Sequence, residues 1–322
     1  MSRFTDAAAT MHTLSLAAME EASREGIRDA DIEHLLLALT LDAGSAGQVL
    51  RGLGVTLDAA RDAVTAERSS QLAALGVHTD AAIDGRIVFH ETNGYEWTDR
   101  AVAVLSRASN RSADEPSSAV LRTLVTEPSG MIAALLLRLG VESTEVERRL
   151  DAADGIRRPE PVPADGPRGS LSAFVPAPPA DVWALVSDAH RIPEWDGVVG
   201  TVAPAAADEQ EWDATAATAT REGKPLRIRE DLRRIRIRRE RADAPHAVTW
   251  RMTYPDARAA NERVVRFALE HAAGGTQVRI EAGWERGRRR RSPLGWMFRP
   301  LARLSLFFQL AQISSGLSRA FR

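Results

Sequence analysis

One segment is written twice in the first 150 residues, as Phe4-Thr5 … Leu53-Gly54-Val55 and again as Trp97-Thr98 … Leu139-Gly140-Val141. A duplication of this length restricts the fold to two stacked units that share a core, because neither copy can bury its apolar face alone. After a Pro-rich joint the text changes to short alternating runs, and six of the seven Trp lie in that second half. At 322 residues two domains are expected.

The first copy reads as four helices. Residues 7–25 place Leu14, Ala17, Ala18 and Ala22 at helical spacing, with Thr5 or Asp6 as N-cap. A second helix starts near Asp31 and runs through Glu33-His34-Leu35-Leu36-Leu37-Ala38-Leu39. A third covers 46–53 and stops at Gly54, a suitable residue to follow a helix end, and a fourth spans roughly 57–67. In the second copy Trp97-Thr98-Asp99 caps a helix, Ser117-Ser118 opens another, 130–139 ends again in Leu-Gly-Val, and 143–150 closes the unit. Between the copies Arg86-Ile87-Val88-Phe89 reads as a short strand or an ordered loop.

Charge divides along the same line. Residues 1–155 hold 14 Arg against 24 Asp and Glu, whereas 156–322 hold 28 Lys and Arg against 20 acids. The halves therefore carry about −10 and +8 and steer different partners. All basic residues but Lys224 are Arg, and with the Ala excess this reflects a GC-rich, bacterial genome. Cysteine is absent, which removes disulfides, thiolate catalysis and Cys-ligated zinc. The seven His lack metal-ligand spacing, so no metal or other cofactor is expected. Neither a secretory signal nor a run of about 18 apolar residues is visible, so a cytoplasmic location is expected.

Phe4-Thr5, Ile32-Glu33-His34-Leu35-Leu36-Leu37-Ala38-Leu39 and Val49-Leu50-Arg51-Gly52-Leu53-Gly54-Val55 give the first half a specific resemblance. It is similar to the N-terminal double-repeat domain of Clp unfoldases, the ClpC type above all, over about residues 1–152. The resemblance implies an all-α docking module for adaptors and substrate polypeptides, with partners in the Clp protease system. In some family members a Glu of the Glu-His motif in each repeat binds phosphorylated arginine. Glu33 keeps that position and, with Phe4 and Thr5, is the implied peptide-binding set. The second repeat has Ser118-Ala119 where Glu-His would fall. A solvated helix-start carboxylate is the alternative for Glu33, and a packed helix-start imidazole the alternative for His34. The family's motor is not expected: a P-loop requires Gly-x4-Gly-Lys-Ser/Thr, and the only Lys is followed by Pro225.

Residues 153–169 read as an extended linker. Beyond it, strands are expected at 171–175, 198–203, 211–220, 226–232, 235–240, 247–254, 262–269 and 277–284, with Gly274-Gly275 as a hairpin signal. Pro178-Pro179 opens a short helix at 182–187, and a long helix closes the chain from about 293 to 321, with Met297, Leu301, Leu304 and Phe308 on one face. Phe174-Val175-Pro176-Ala177-Pro178-Pro179-Ala180-Asp181-Val182-Trp183, followed by Ile192-Pro193-Glu194-Trp195, resembles the START-like/polyketide cyclase-like (SRPBCC) superfamily. The resemblance covers about 170–322 and implies an α+β helix-grip fold, a curved antiparallel sheet around the last helix and an apolar cavity.

Trp183, Trp195, Trp250, Met252, Phe267, Ile280, Trp284, Leu304 and Phe308 are the candidate lining, and the same residues serve equally as plain core. Glu230 shares parity with Leu226, Ile228 and Leu232, which would aim a carboxylate inward, where a raised pKa makes an acid or base. Asp188 is the other weak catalytic candidate. The run Arg286–Arg291 offers weak contact with an anionic membrane surface, and the aromatic interleaving of nucleic-acid binders is lacking, so no specific nucleic acid is expected. The expected function is a two-domain binding protein that is not an enzyme, one half docking peptides or protein partners and the other an apolar small molecule or lipid. A polyketide cyclase or aromatase-like enzyme using Glu230 or Asp188 is the alternative.

Overall fold

A computed structural model describes residues 3–77, 96–110, 115–154, 168–204, 210–220, 223–257, 259–285 and 299–321. The chain divides into two compact units, Met1–Pro159 and Glu160–Arg322. Arg86–Phe89, most of the 153–169 joint and Arg286–Arg291 lie outside the described residues, as do the side chains of Phe4, Thr5 and Leu304.

The first unit is helical and shows the duplication. Its first copy forms α1 (Arg3–Arg24), α2 (Ile32–Thr40), α3 (Ser45–Gly52) and α4 (Leu57–Ala74); its second forms α5 (Asp99–Ser109), α6 (Pro116–Val125), α7 (Met131–Arg138) and α8 (Ser143–Asp154). A two-residue parallel pairing of β1 (Asp29–Ala30) with β2 (Glu96–Trp97) stitches the copies together. Every residue of α2 is buried, as befits a helix apolar nearly all round. The single inter-repeat core includes Leu35, Leu36, Leu39, Leu50, Val120, Leu124, Ile132 and Leu136.

The Leu-Gly-Val repeats are helix stops. After α3, Gly54 at φ +83° lets its N–H reach the Arg51 carbonyl while Val55 N–H bonds that of Leu50. After α7, Gly140 and Val141 bond Leu137 and Leu136 in the same way. Both are Schellman motifs, sealed by buried Val–Leu pairs. A third Leu-Gly-Val, at 75–77, ends α4 with the same bonds and carries that helix past the expected residue 67. The motif's Arg51 is structural: its guanidinium donates to the carbonyls of Thr40 (2.6 Å), the last residue of α2, and Asp42 (2.8 Å) just beyond it, and burial pulls its pKa down to about 10. Helix α1 begins at Arg3, so Thr5 and Asp6 lie inside its first turn rather than capping it.

The second unit begins with β3 (Arg168–Val175), α9 (Pro179–Val186), a 3-10 turn at Ala189–Arg191 and α10 (Ile192–Trp195). Strands β4 (Val199–Val202), β5 (Glu211–Ala216), β6 (Arg234–Asp243), β7 (Ala247–Thr253), β8 (Glu262–Ala272) and β9 (Gly275–Glu285) follow, and α11 (Arg299–Arg319) closes it. Among the described residues the sheet has seven strands in the order β3-β9-β8-β7-β6-β5-β4, every pair antiparallel. This is the helix-grip arrangement. Alternation puts Ile235 and Ile237, Val248, Trp250 and Met252, Val265 and Phe267, and Val278 and Ile280 on the core face. The other face is charged: Arg236 pairs Asp213, Arg238 pairs Glu211, and Arg251 reaches Glu240, Glu262 and Glu285.

Two expectations fail here. Residues 226–232 are not a strand. The β5–β6 ladder begins only at Thr215↔Arg234, so they lie in the connection beyond it, which makes one bridge, Ala219↔Pro225, and one 3-10 turn, Glu230–Leu232. Helix α11 buries Leu306, Leu310, Ile313 and Leu317. At 100° per residue Phe308 sits across the helix from that stripe, and it is 51% exposed rather than part of a lining.

Candidate functional site

In the helical unit the first turn of α2 carries the motif carboxylate. Asp31 caps the helix, accepting from Ile32 N–H at 2.8 Å, and His34 closes a capping box by accepting the Asp31 N–H on Nδ1 at 2.9 Å. Nε2 of His34 then faces Glu25, 3.3 Å away. His34 is thus a buried capping residue. Asp31 also takes a hydrogen bond from Thr98 (2.6 Å) and pairs with Arg100, across the boundary between repeats. Burial pushes the Asp31 carboxyl up, but bonds from Thr98, Ile32 N–H and Arg100 outweigh it and hold the group below its ordinary value.

Glu33 is only 5% exposed. One carboxylate oxygen accepts from Arg68 of α4 at 2.7 Å, and Arg68 also pairs with Glu25. The other oxygen is buried without a hydrogen-bond partner among the described residues. The cluster of Glu25, Glu33 and Arg68 thus has more acceptors than its single guanidinium fills. Burial pushes Glu25 up, and the bonds from His34 and Arg68 reverse this and lower it. In the second repeat the matching Ser118 is buried and shares a 2.9 Å hydrogen bond with Ser45, which in turn contacts Glu115. That position is packed between the repeats and offers no carboxylate.

In the sheet unit the aromatic candidates separate into two kinds. Trp250 is fully buried and its indole N–H donates to the Val186 carbonyl at 2.8 Å, tying β7 to α9. Trp195 is 1% exposed, packs edge-on to Phe267 at 4.9 Å, and its Nε1 has no hydrogen-bond partner among the described residues. Gly316 of α11 lies against it: a Cβ there would come within 2.8 Å of the Trp195 backbone. Met252, Phe267 and Ile280 are core, while Trp183 and Trp284 are half-buried against it.

Two charged residues escaped the sequence reading. Arg263 on β8 has the parity of Val265, Phe267 and Leu269, not of the exposed Arg266, and is 3% exposed on the core face. Its Nη1 lies 2.7 Å from Asp196 Oδ2, a charge contact rather than an aligned hydrogen bond. Asp196 follows α10, and its other oxygen accepts from Val198 N–H at 2.8 Å. The guanidinium's Nε has no partner among the described residues, and Met252 sulfur sits 3.9 Å from Nη1. Tyr254, half-buried two residues beyond Met252, feels both charges; burial raises its hydroxyl. The available signal was parity alone, an Arg written where the core register required an apolar residue.

The two proposed acid–base carboxylates are not in this site. Glu230 is exposed, because its segment never enters the sheet. Asp188 is exposed and caps the turn at Ala189–Arg191, accepting from His190 N–H at 2.9 Å.

Residues 168–306 match the family described as polyketide cyclase / dehydrase and lipid transport. Residues 4–87 match the Clp repeat (R) N-terminal domain, which covers the first copy, where the motif is intact. The chain joins a Clp N-terminal repeat to a polyketide cyclase-like helix-grip unit. No curated protein matches it. Among solved structures it is similar to XoxI from Bacillus cereus, at 13% identity and TM-score 0.34, covering 48% of this chain and 94% of that one. TTHA0849 from Thermus thermophilus matches at 16% and 0.34, over 47% and 94%. The di-domain ARO/CYC BexL from the BE-7585A biosynthetic pathway matches at 19% and 0.33, over 46% and 45%. No helix among the described residues is long and apolar enough to cross a membrane.

Proposed function

We propose that the chain is a two-domain binding protein rather than an enzyme: its Clp-like unit docks peptides or protein partners, and its cyclase-like unit binds an apolar small molecule. The observation that carries the second half is a core face of aromatic and aliphatic side chains interrupted by buried N–H groups without partners, Trp195 Nε1 and Arg263 Nε. An apolar surface with a few fixed polar groups is the usual make-up of a small-molecule site. Support for the first half is the Glu25–Glu33–Arg68 cluster at the motif position, where a buried carboxylate oxygen is left over. The enzyme alternative loses ground because Glu230 and Asp188 both face solvent, away from the buried face of the sheet.

Native mass spectrometry of the purified full chain tests the ligand half, with a co-purified small molecule of apolar character as the expected result. Titration with peptides, arginine-phosphorylated ones included, tests the docking half. Failure of every peptide and of Clp-system components to bind would remove it.

A further inference from the structure

Helix α4 changes character half-way along. Its buried residues, Leu57, Ala60, Ala63 and Val64, all lie in the first half. From 65 to 77 no residue is buried, and the larger apolar side chains there, Leu72, Leu75 and Val77, face solvent. About three turns of helix have little stability of their own in water and normally depend on an apolar face packed against the core. These turns lack that face.

Their attachment is polar and comes from three side chains on one side of the helix. Glu67 accepts from Arg138 of α7 at 2.6 Å. Arg68 donates to Glu33 of α2 at 2.7 Å and pairs with Glu25 just past α1, and Gln71 touches the Met131 sulfur at 3.5 Å. Partly exposed ion pairs of this kind contribute little each and are screened by salt. The segment is thus clamped to both repeats by bonds that water and ions can replace. Such a part opens locally while the rest of the unit stays folded.

Opening affects the two carboxylates unequally. Nδ1 of His34 accepts the Asp31 N–H, so Nε2 is the donor to Glu25, and that bond survives the departure of Arg68. Glu33 keeps nothing comparable: among the described residues Arg68 is its hydrogen-bond partner, and its other oxygen is already without one. It stands in the first turn of α2, where the helix favours negative charge. The closed form therefore fills Glu33 with a guanidinium of the chain's own, and the open form leaves the carboxylate without a cation.

On the footing that this unit docks partners, we propose that residues 65–77 are a latch: Arg68 occupies Glu33 in the closed form, and a partner's cationic side chain binds there only after these turns of α4 open and vacate it. The apparent affinity of the partner is then lowered by the fraction of chains that are closed.

Both arms of the test use the full chain. Hydrogen exchange read by mass spectrometry is expected to be about tenfold or more faster over 66–75 than over 60–64, after correction for sequence. It should quicken by about threefold over 66–75 as sodium chloride is raised from about 0.05 M to about 0.5 M. The second arm titrates a dye-labelled Gly-Arg-Gly-Arg-Gly peptide by fluorescence anisotropy. Arg68→Ala, which vacates Glu33, is expected to bind the peptide about tenfold tighter than the unaltered chain, and adding Glu33→Gln to abolish that gain. Glu67→Gln separates a latch from plain charge. It removes an acid bonded to α7 rather than to Arg68, so charge alone weakens binding of a cationic peptide, whereas loosening the latch tightens it by about threefold. Exchange over 66–75 no faster than over 60–64, no gain in Arg68→Ala, a gain that survives Glu33→Gln, or weaker binding by Glu67→Gln would overturn the latch and leave docking in place. A peptide bound by no variant would take down the docking reading at Glu33 and the latch with it.

Discussion

Each unit sets an arginine against carboxylate, and the two arrangements are opposite in balance. In the helical unit Arg68 is shared by Glu25 and Glu33, so acceptors outnumber donors and a Glu33 oxygen is left over. In the sheet unit Arg263 faces Asp196 alone and its Nε is left over. Burial also differs: Arg68 keeps 27% of its side chain exposed, against 4% for Arg263. A guanidinium has five N–H donors in a fixed fork, so the number of carboxylates around it sets the polarity of what remains.

The largest test of this contrast is Arg263→Met alone. It strands a buried Asp196 and is expected to destabilise the sheet unit by about 3–5 kcal/mol, read by denaturant unfolding followed through its tryptophans. The double variant with Asp196→Leu should recover most of that loss. Next comes Gly316→Ala, whose Cβ meets the Trp195 backbone at 2.8 Å. Pushing α11 off Trp195 should cost about 1–3 kcal/mol and lower the melting temperature. Glu33→Gln is expected to cost less, about 1 kcal/mol, because Arg68 stays partly solvated and retains Glu25.

Acid sharpens the contrast from another side. Glu25 and Asp31 are held below ordinary values of 4.5 and 3.8, so both bind fewer protons folded than unfolded. Their stabilisation is complete above those values and fades as pH falls through the depressed folded ones. The helical unit should therefore lose stability below about pH 4.5, with Glu25→Gln flattening the slope of an acid titration followed by helical circular dichroism. The smallest effect belongs to Glu230→Gln, which should change stability by less than about 0.5 kcal/mol and leave probe binding unaltered.

Local signals made much of this architecture readable. Thr98 caps α5 as its spacing required, accepting from Ala101 N–H at 3.2 Å, and the Leu-Gly-Val triplets end their helices with the bonds a Gly at positive φ permits. The sheet alternation placed Trp250, Met252, Phe267 and Ile280 on one face. What escaped was decided by long-range pairing. Residues 226–232 alternate like a strand, but β5 already pairs with β4 and β6 and leaves them no edge to join. Arg263 was legible only through the parity it shares with Phe267, and its partner Asp196 is 67 residues away in sequence. Nor does text distinguish Trp195 from Trp250, since the difference is whether a carbonyl lies within reach of the indole.

The sheet order has a consequence for synthesis. Strand β3 is the first of the sheet to leave the ribosome, and among the described residues its strand partner is β9, the last. Until Thr276 to Gly283 emerge β3 has no ladder, while the helical unit is already complete with contacts of shorter range. The nascent chain should thus carry a folded helical head on an unpaired strand for more than a hundred residues of translation, with the slow, long-range closure coming last.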